Sequence, residues 1–162
     1  AALVERGAGV DLRVSAAAFF QSGPAAAELL GATVAELAGD ALAGATRVVD
    51  AYGGVGLFAA TVAAAAPEVV LVESSPAACR DAAVNLRGRS ASIVETAVED
   101  WEPVAADVVV ADPLADGGAE VNVLTGQSVA VGIGEQRAGR GRRGKDAFIQ
   151  PEHEGEFQIG IA

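Results

Sequence analysis

Four short apolar runs punctuate the first two thirds of the chain: RVVDAY at 47–52, EVVLVE at 68–73, SIVETAV at 92–98 and DVVVAD at 107–112. Their centres are nearly continuous in hydrophobicity rather than alternating, as parallel strands covered on both faces are. Helical segments separate them. Residues 24–37 (PAAAELLGATVAEL) combine strong helix formers with Pro24 in the first turn and place Leu29, Val34 and Leu37 on one face. An Ala-rich stretch from the glycines at 53–56 to about residue 66 predicts a second helix. Residues 74–86 (SSPAACRDAAVNL) predict a third, capped by Ser74 or Ser75 with Pro76 in its first turn. Strands alternating with helices through right-handed crossovers give an α/β, doubly wound sheet.

The pattern changes near residue 116. Ten glycines fall in residues 1–116 and ten more in the 46 residues that follow. This predicts a globular domain over 1–116 and a Gly/Arg-rich tail over 117–162. Within the tail, 121–133 holds one strand or a hairpin and 157–161 a short strand. Residues 137–144 (RAGRGRRG) have no apolar period and are expected to be mobile. There is no internal repeat.

Composition narrows the class. Of 162 residues, 51% are hydrophobic and 20% charged, which excludes disorder throughout. Aromatics are only 4%, so the core must be built from Ala, Val and Leu. A single cysteine, Cys79, excludes an internal disulfide and a Cys-rich zinc site, and fits a reducing compartment, most simply the cytoplasm. No apolar run is long enough to span a bilayer. The first residues, AALVERGAGVD, carry acids and no basic n-region, unlike a signal peptide. Net charge is −11, of which residues 1–116 carry −10. An acidic body disfavours non-specific nucleic-acid binding, which needs Lys and Arg against phosphates. The one basic run, 137–145, is the obvious place for an unaided polyanion contact.

The strongest local signal is VVDAYGGVGLF at 48–58. A strand ends in Asp50, a glycine turn follows and a helix begins. Gly54 and Gly56 permit a tight turn and leave room for a ligand above the helix N-terminus. Taken alone, the pair of glycines is equally explained by steric need at a strand–helix joint. Glu73 adds information: it ends the next strand, 23 residues after Asp50. An acid about 20 residues beyond a glycine turn binds ribose hydroxyls in the dinucleotide fingerprint. The spacing is not a full G-x-G-x-x-G, because Ala59 takes the last place, a position that tolerates Ala. NAD stays open on this motif.

In order along the chain stand Phe19-Phe20-Gln21, a helix, VVDAYGGVGLF, VVLVESSPAACRDAAVNL and ADVVVADP. Over about residues 14–113 this resembles the class I S-adenosylmethionine-dependent RNA methyltransferases that modify uracil at C5. The Phe-Phe-Gln element is the most specific part, and Asn85 at the end of its helix also fits. The resemblance implies a Rossmann-like class I methyltransferase sheet, here incomplete in its C-terminal half. It implies S-adenosylmethionine as cofactor and an RNA substrate, tRNA or rRNA. It places Gln21 at the methionine end of the cofactor and Tyr52 with the turn at 53–56, including Gly54 and Gly56, along it. Asp50 and Glu73 fall at the carboxyl ends of adjacent strands, where open α/β sheets bind ligands, and both are expected to bind the cofactor, Glu73 through the ribose hydroxyls; Asp112 stands between cofactor and substrate base.

Several positions depart from the family pattern. Asp112-Pro113 is followed by Leu114-Ala115-Asp116, without the Arg that usually closes this motif. Where the third strand often ends in an acid near the adenine, Ala97 stands, with Glu99 and Asp100 further on. The family's nucleophile is a cysteine after the fifth strand, which attacks C6 of uracil and so activates C5. No cysteine follows Asp112, and Cys79 reads as a small buried apolar residue. No catalytic residue is therefore assigned. His153 lies among Glu152, Glu154 and Glu156 and reads as a solvated tail residue, so no metal is expected. Three functions compete: an RNA uracil-C5 methyltransferase domain or fragment, a cofactor-binding protein without catalysis, and an NAD-dependent enzyme.

Overall fold

The valine-rich runs form the middle of a six-stranded sheet. The computed structural model describes residues 1–18, 20 and 23–112, and the backbone of 121–123, 129–135, 145–150 and 157–159. The chain opens with an antiparallel hairpin, β1 (Ala2–Gly7) and β2 (Val10–Ser15). Then come α1 (Pro24–Gly44), β3 (Arg47–Ala51), α2 (Leu57–Ala60), β4 (Glu68–Glu73) and α3 (Pro76–Asn85). They are followed by β5 (Ala91–Glu95), a 3₁₀ turn at Val98–Asp100 and β6 (Val108–Ala111). The remaining strands are β7 (Val121–Val123), β8 (Val129–Glu135), β9 (Lys145–Gln150) and β10 (Phe157–Ile159).

The sheet runs β5-β4-β3-β6-β8-β9. All its pairings are parallel except β8 with β9, which is antiparallel. β10 pairs with β7 in a separate two-stranded ladder. From β3 the chain winds outward through β4 to β5 and then returns to β6 on the other side. The strand order reverses at β3, and open α/β sheets bind ligands at the carboxyl ends of the strands around such a point.

Strand period sorts the core into two faces. Val48, Val69, Leu71, Val108 and Val110 pack against Val34 and Ala38 of α1, Phe58 of α2, and Ala82 and Leu86 of α3. Val49, Ala51, Val70, Val72, Val109 and Ala111 face the other way, onto Val98 and the half-buried Trp101. At the amino ends of the strands, Asp107 accepts the N–H groups of Thr46 and Arg47 at 2.7 and 2.9 Å, and Arg47 pairs with Glu68 at 2.8 Å. These contacts tie together the starts of β3, β4 and β6.

The observed elements differ from the expected ones in identifiable ways. Of the residues expected on the buried face of α1, Val34 is buried and Leu37 packs half-buried against the core, but Leu29 is 68% exposed; Ala27, Gly31 and Ala38 complete the buried stripe. α1 also runs past residue 37 to Gly44, with non-helical geometry at Gly39. The Ala-rich helix after the glycine turn is only Leu57–Ala60, because Thr61 leaves helical geometry and its hydroxyl bonds back to the Leu57 carbonyl at 2.6 Å. β5 stops at Glu95, and Val98 belongs to the 3₁₀ turn. The sheet does not end at its fourth strand: β8 lies parallel to β6 and covers its edge. Residues 121–133 thus form neither one strand nor a hairpin, since β7 pairs with β10 while β8 joins the main sheet. Residues 137–144 and His153 lie outside the described residues.

Candidate functional site

Three strand ends converge at the reversal point. Ala51 of β3 leads into Tyr52-Gly53-Gly54, β4 ends at Glu73, and β6 is followed by Asp112. A cleft of about 310 Å³ opens above them. Its lining includes Tyr52, Gly53, Gly54 and Val55 of the glycine turn, Glu73, Ser74, Ser75 and Ala78 around the end of β4 and the start of α3, and Ala17, Phe20 and Leu30. Asp112 also lines it.

The glycine turn takes this shape for steric reasons. A Cβ on Gly53 would stand 2.5 Å from Leu71 Cγ, a fully buried side chain, so the turn can approach β4 only without one. Gly56, with φ of 91°, caps α2 in the left-handed region, where other residues are strained. Tyr52 is such a residue, with φ of 59°. It is held by its hydroxyl, which donates to Glu99 at 2.6 Å, and by packing against the core face formed by Val49, Ala51, Val70 and Val72. Burial and then this contact with Glu99 raise the pKa of the phenol, so it remains a donor.

Glu73 is fixed before any ligand arrives. Its Oε2 accepts the Gly54 N–H at 2.9 Å and its Oε1 the Ser75 N–H at 2.6 Å. Oε1 also accepts the Ser74 hydroxyl at 3.4 Å, so further acceptor capacity remains chiefly on Oε2. Ser75 in turn caps α3, its hydroxyl accepting the Ala78 N–H at 3.3 Å.

Asp50 sits underneath. It is 1% exposed, and its Oδ2 accepts the Ala59 N–H at 2.9 Å, serving the first turn of α2. Its Oδ1 is buried without a partner among the described residues. Burial pushes its pKa up to about 7; the Ala59 N–H opposes this, and the charges of Asp112 and Glu73 add to it.

Of the seven residues expected to bind cofactor, Tyr52, Gly54, Glu73 and Asp112 line one cleft. Asp50 and Gly56 do not line it: Asp50 accepts the Ala59 N–H of α2 and Gly56 is the N-cap of that helix. Gln21 and its neighbour Phe19 lie outside the described residues, while Phe20 lines the cleft. Cys79 is buried on α3 with its thiol against the Glu73 carbonyl at 3.4 Å. Burial, then the charges of Glu73 and Glu95, raise its pKa. Sequence reasoning missed Asp81, a fully buried carboxylate on α3. Burial alone would raise its pKa, but the Ser15 N–H, the Arg13 guanidinium and the Ser15 hydroxyl outweigh that and hold it below the ordinary range. Among the described residues no group of His, Cys, Asp and Glu could hold a metal, and no helix is long and apolar enough to cross a membrane.

No protein-family model matches the chain. An uncharacterized RNA methyltransferase of Thermosynechococcus vestitus is 35% identical over 117 residues, covering 68% of this chain and 26% of that protein. The chain therefore spans about a quarter of the length of this curated relative. Among solved structures, the Pyrococcus abyssi tRNA (uracil-54, C5)-methyltransferase in complex with S-adenosyl-L-homocysteine superposes with a TM-score of 0.64 at 22% identity, over 82% of this chain and 34% of that one. Trm5b of P. abyssi gives 0.63 at 19% identity, over 85% and 42%. The putative methyltransferase YhhF of Escherichia coli gives 0.60 at 12% identity, over 98% of both chains. These likenesses show the fold, a Rossmann-like class I methyltransferase sheet.

Proposed function

We propose that this chain is the S-adenosylmethionine-binding portion of an RNA methyltransferase of the uracil-C5 class. The observation that carries the reading is Glu73: a carboxylate on the strand next to the glycine-turn strand, with both oxygens fixed by backbone N–H groups at the cleft. Vicinal ribose hydroxyls are donors that such a preorganised acceptor pair fits. The 35% identical RNA methyltransferase and the folds of the solved neighbours favour a methyl donor over NAD. In this reading residues 1–116 form the donor-binding domain, to which β8 and β9 add sheet.

The donor supplies a methyl group on a positively charged sulfur. The chain's own residues bind and orient it. Glu73 accepts from the ribose, Tyr52, Gly53 and Gly54 cover one side of the ligand, and Gln21 meets the methionine end. Asp50 keeps the turn in place through α2, and Asp112 faces the incoming base. An RNA, tRNA or rRNA, is the proposed substrate, and the cytoplasm its setting. A second reading, donor binding without catalysis by this chain, is favoured by Cys79: its only thiol is buried on α3 and cannot serve as the nucleophile at uracil C6.

Isothermal titration of the chain with S-adenosylhomocysteine and with NAD tests the donor reading. Binding of the first and not the second is expected. NAD binding with no response to S-adenosylhomocysteine would overturn it.

A further inference from the structure

Asp81 and Asn85 lie four residues apart on α3, on the side turned to the hairpin. Asn85 Oδ1 accepts the Arg13 N–H at 2.7 Å, and its Nδ2 donates to the Arg13 carbonyl at 3.0 Å. Asp81 accepts the Ser15 N–H at 2.6 Å, the Ser15 hydroxyl at 2.8 Å and Arg13 Nε at 2.8 Å. β2 pairs with β1 on one side only, so these two side chains occupy the backbone edge that another strand would otherwise take.

Edge protection does not account for the last bond. Asn85 Nδ2 also donates to the Val55 carbonyl at 2.8 Å. Val55 lines the cleft. β2 leads into a turn at 16–18, where the Ala18 N–H bonds back to the Ser15 carbonyl at 2.9 Å, and Ala17 and Phe20 line the same cleft. One carboxamide therefore joins the glycine turn to the strand that leads to Ala17. A carboxamide can do this because it offers an acceptor and two donors in one plane, matching a peptide edge and leaving one hydrogen over.

We propose that Asn85, seated beside Asp81, is a positioning residue for the donor cleft: it sets the spacing between the glycine turn and the turn at residues 16–18, so that a ligand on the glycine turn also orders the turn at 16–18. This rests on the donor reading of the cleft. An aspartate at position 85 keeps the acceptor and loses both donors, freeing the Arg13 and Val55 carbonyls while preserving side-chain size.

The test combines titration with S-adenosylhomocysteine and hydrogen exchange on the same 162-residue chain. In the parent, the ligand should slow exchange at residues 13–20, 53–57 and 73–75 together. In Asn85→Asp, binding should weaken roughly tenfold or more, the effect of losing buried hydrogen bonds. At saturating ligand, protection at 73–75 should persist while that at 13–20 is lost. If Asn85→Asp does not fold, Asp81→Asn, which leaves the Asn85 carboxamide intact and weakens its seat, carries the same two readouts. Affinity within twofold of the parent, or weaker affinity with protection at 13–20 retained, would overturn the proposal. A parent that does not bind S-adenosylhomocysteine would instead sink the donor reading itself.

Discussion

Glu73 and Asp50 are both carboxylates at neighbouring strand ends, yet their surroundings give them different work. Glu73 meets two N–H groups, the Ser74 hydroxyl and the cleft; Asp50 meets one N–H, and its other oxygen is buried without a partner among the described residues. Glu73→Ala should weaken S-adenosylhomocysteine binding by roughly 1–3 kcal/mol, the usual worth of charge-assisted hydrogen bonds. Glu73→Gln should also weaken it, because a carboxamide turns an N–H₂ toward one of the two backbone donors. Unchanged affinity by titration in both variants would refute the ribose assignment. Asp50 makes a prediction about pH. Its folded pKa is raised to about 7. Between the ordinary carboxylate range near 4 and about 7, the folded state keeps a proton that the unfolded chain has released. The stabilisation is complete below that window and is lost as pH rises through it, by up to about 1.4 kcal/mol per pH unit. Asp81 and Asp107, whose pKa values are lowered, act oppositely: their stabilisation is lost as pH falls below about 4. Thermal melts from pH 4.5 to 8.5 should show the melting temperature falling toward neutrality, and Asp50→Asn should flatten that limb. An equal slope in the variant would mean that another group is responsible.

At the scale of elements, the glycine turn and α3 build the site between them. Gly53→Ala would drive a Cβ into Leu71 and should cost about 1–3 kcal/mol, the usual range for overpacking a core, read as a lower denaturation midpoint. Ser75→Ala removes the α3 cap and should cost about 1 kcal/mol while leaving ligand affinity nearly intact, since the Ser75 N–H still reaches Glu73. A large loss of affinity in that variant would mean the hydroxyl itself touches the ligand. The strands at 47–51, 68–73 and 108–111 were legible in the sequence because burial on both faces leaves an unbroken β-branched run. The Ser75 cap and Pro76 start of α3 were legible because capping chemistry is local. The hairpin was not, since its turn is Ala8-Gly9, both left-handed, where Asn-Gly or Asp-Gly is the usual sign. The buried stripe of α1 was misread because in an Ala-rich helix small residues pack closely and Leu29 is left outside. Asp81 carries no local sign of its burial, which follows from the docking of β2, a contact 66 residues away in sequence.

At the scale of the whole molecule, the proposed reading puts donor binding and base chemistry on opposite sides of β3. Glu73 and the turn lie over β4 and β3, whereas Asp112 follows β6 on the other side of β3. A uracil presented to the methyl group would approach at Asp112. For C5 to take a methyl group, a thiolate must first bond to C6; C5 then attacks the methyl carbon as its bond to sulfur breaks, and the C5 proton leaves to a base before the thiolate departs. The chain has one thiol, on α3, and its sulfur is turned to the Glu73 carbonyl at the end of β4, buried and with its pKa raised. Serine and threonine hydroxyls are weak nucleophiles at neutral pH without an adjacent base. This chain should therefore bind S-adenosylhomocysteine and still fail to transfer labelled methyl from S-adenosylmethionine to C5 of uracil in RNA. Cys79→Ser should leave both results unchanged apart from a modest loss of stability. Transfer that survives in Cys79→Ser would require a different mechanism, and transfer abolished by it would mean that α3 does not hold the thiol where the structure puts it.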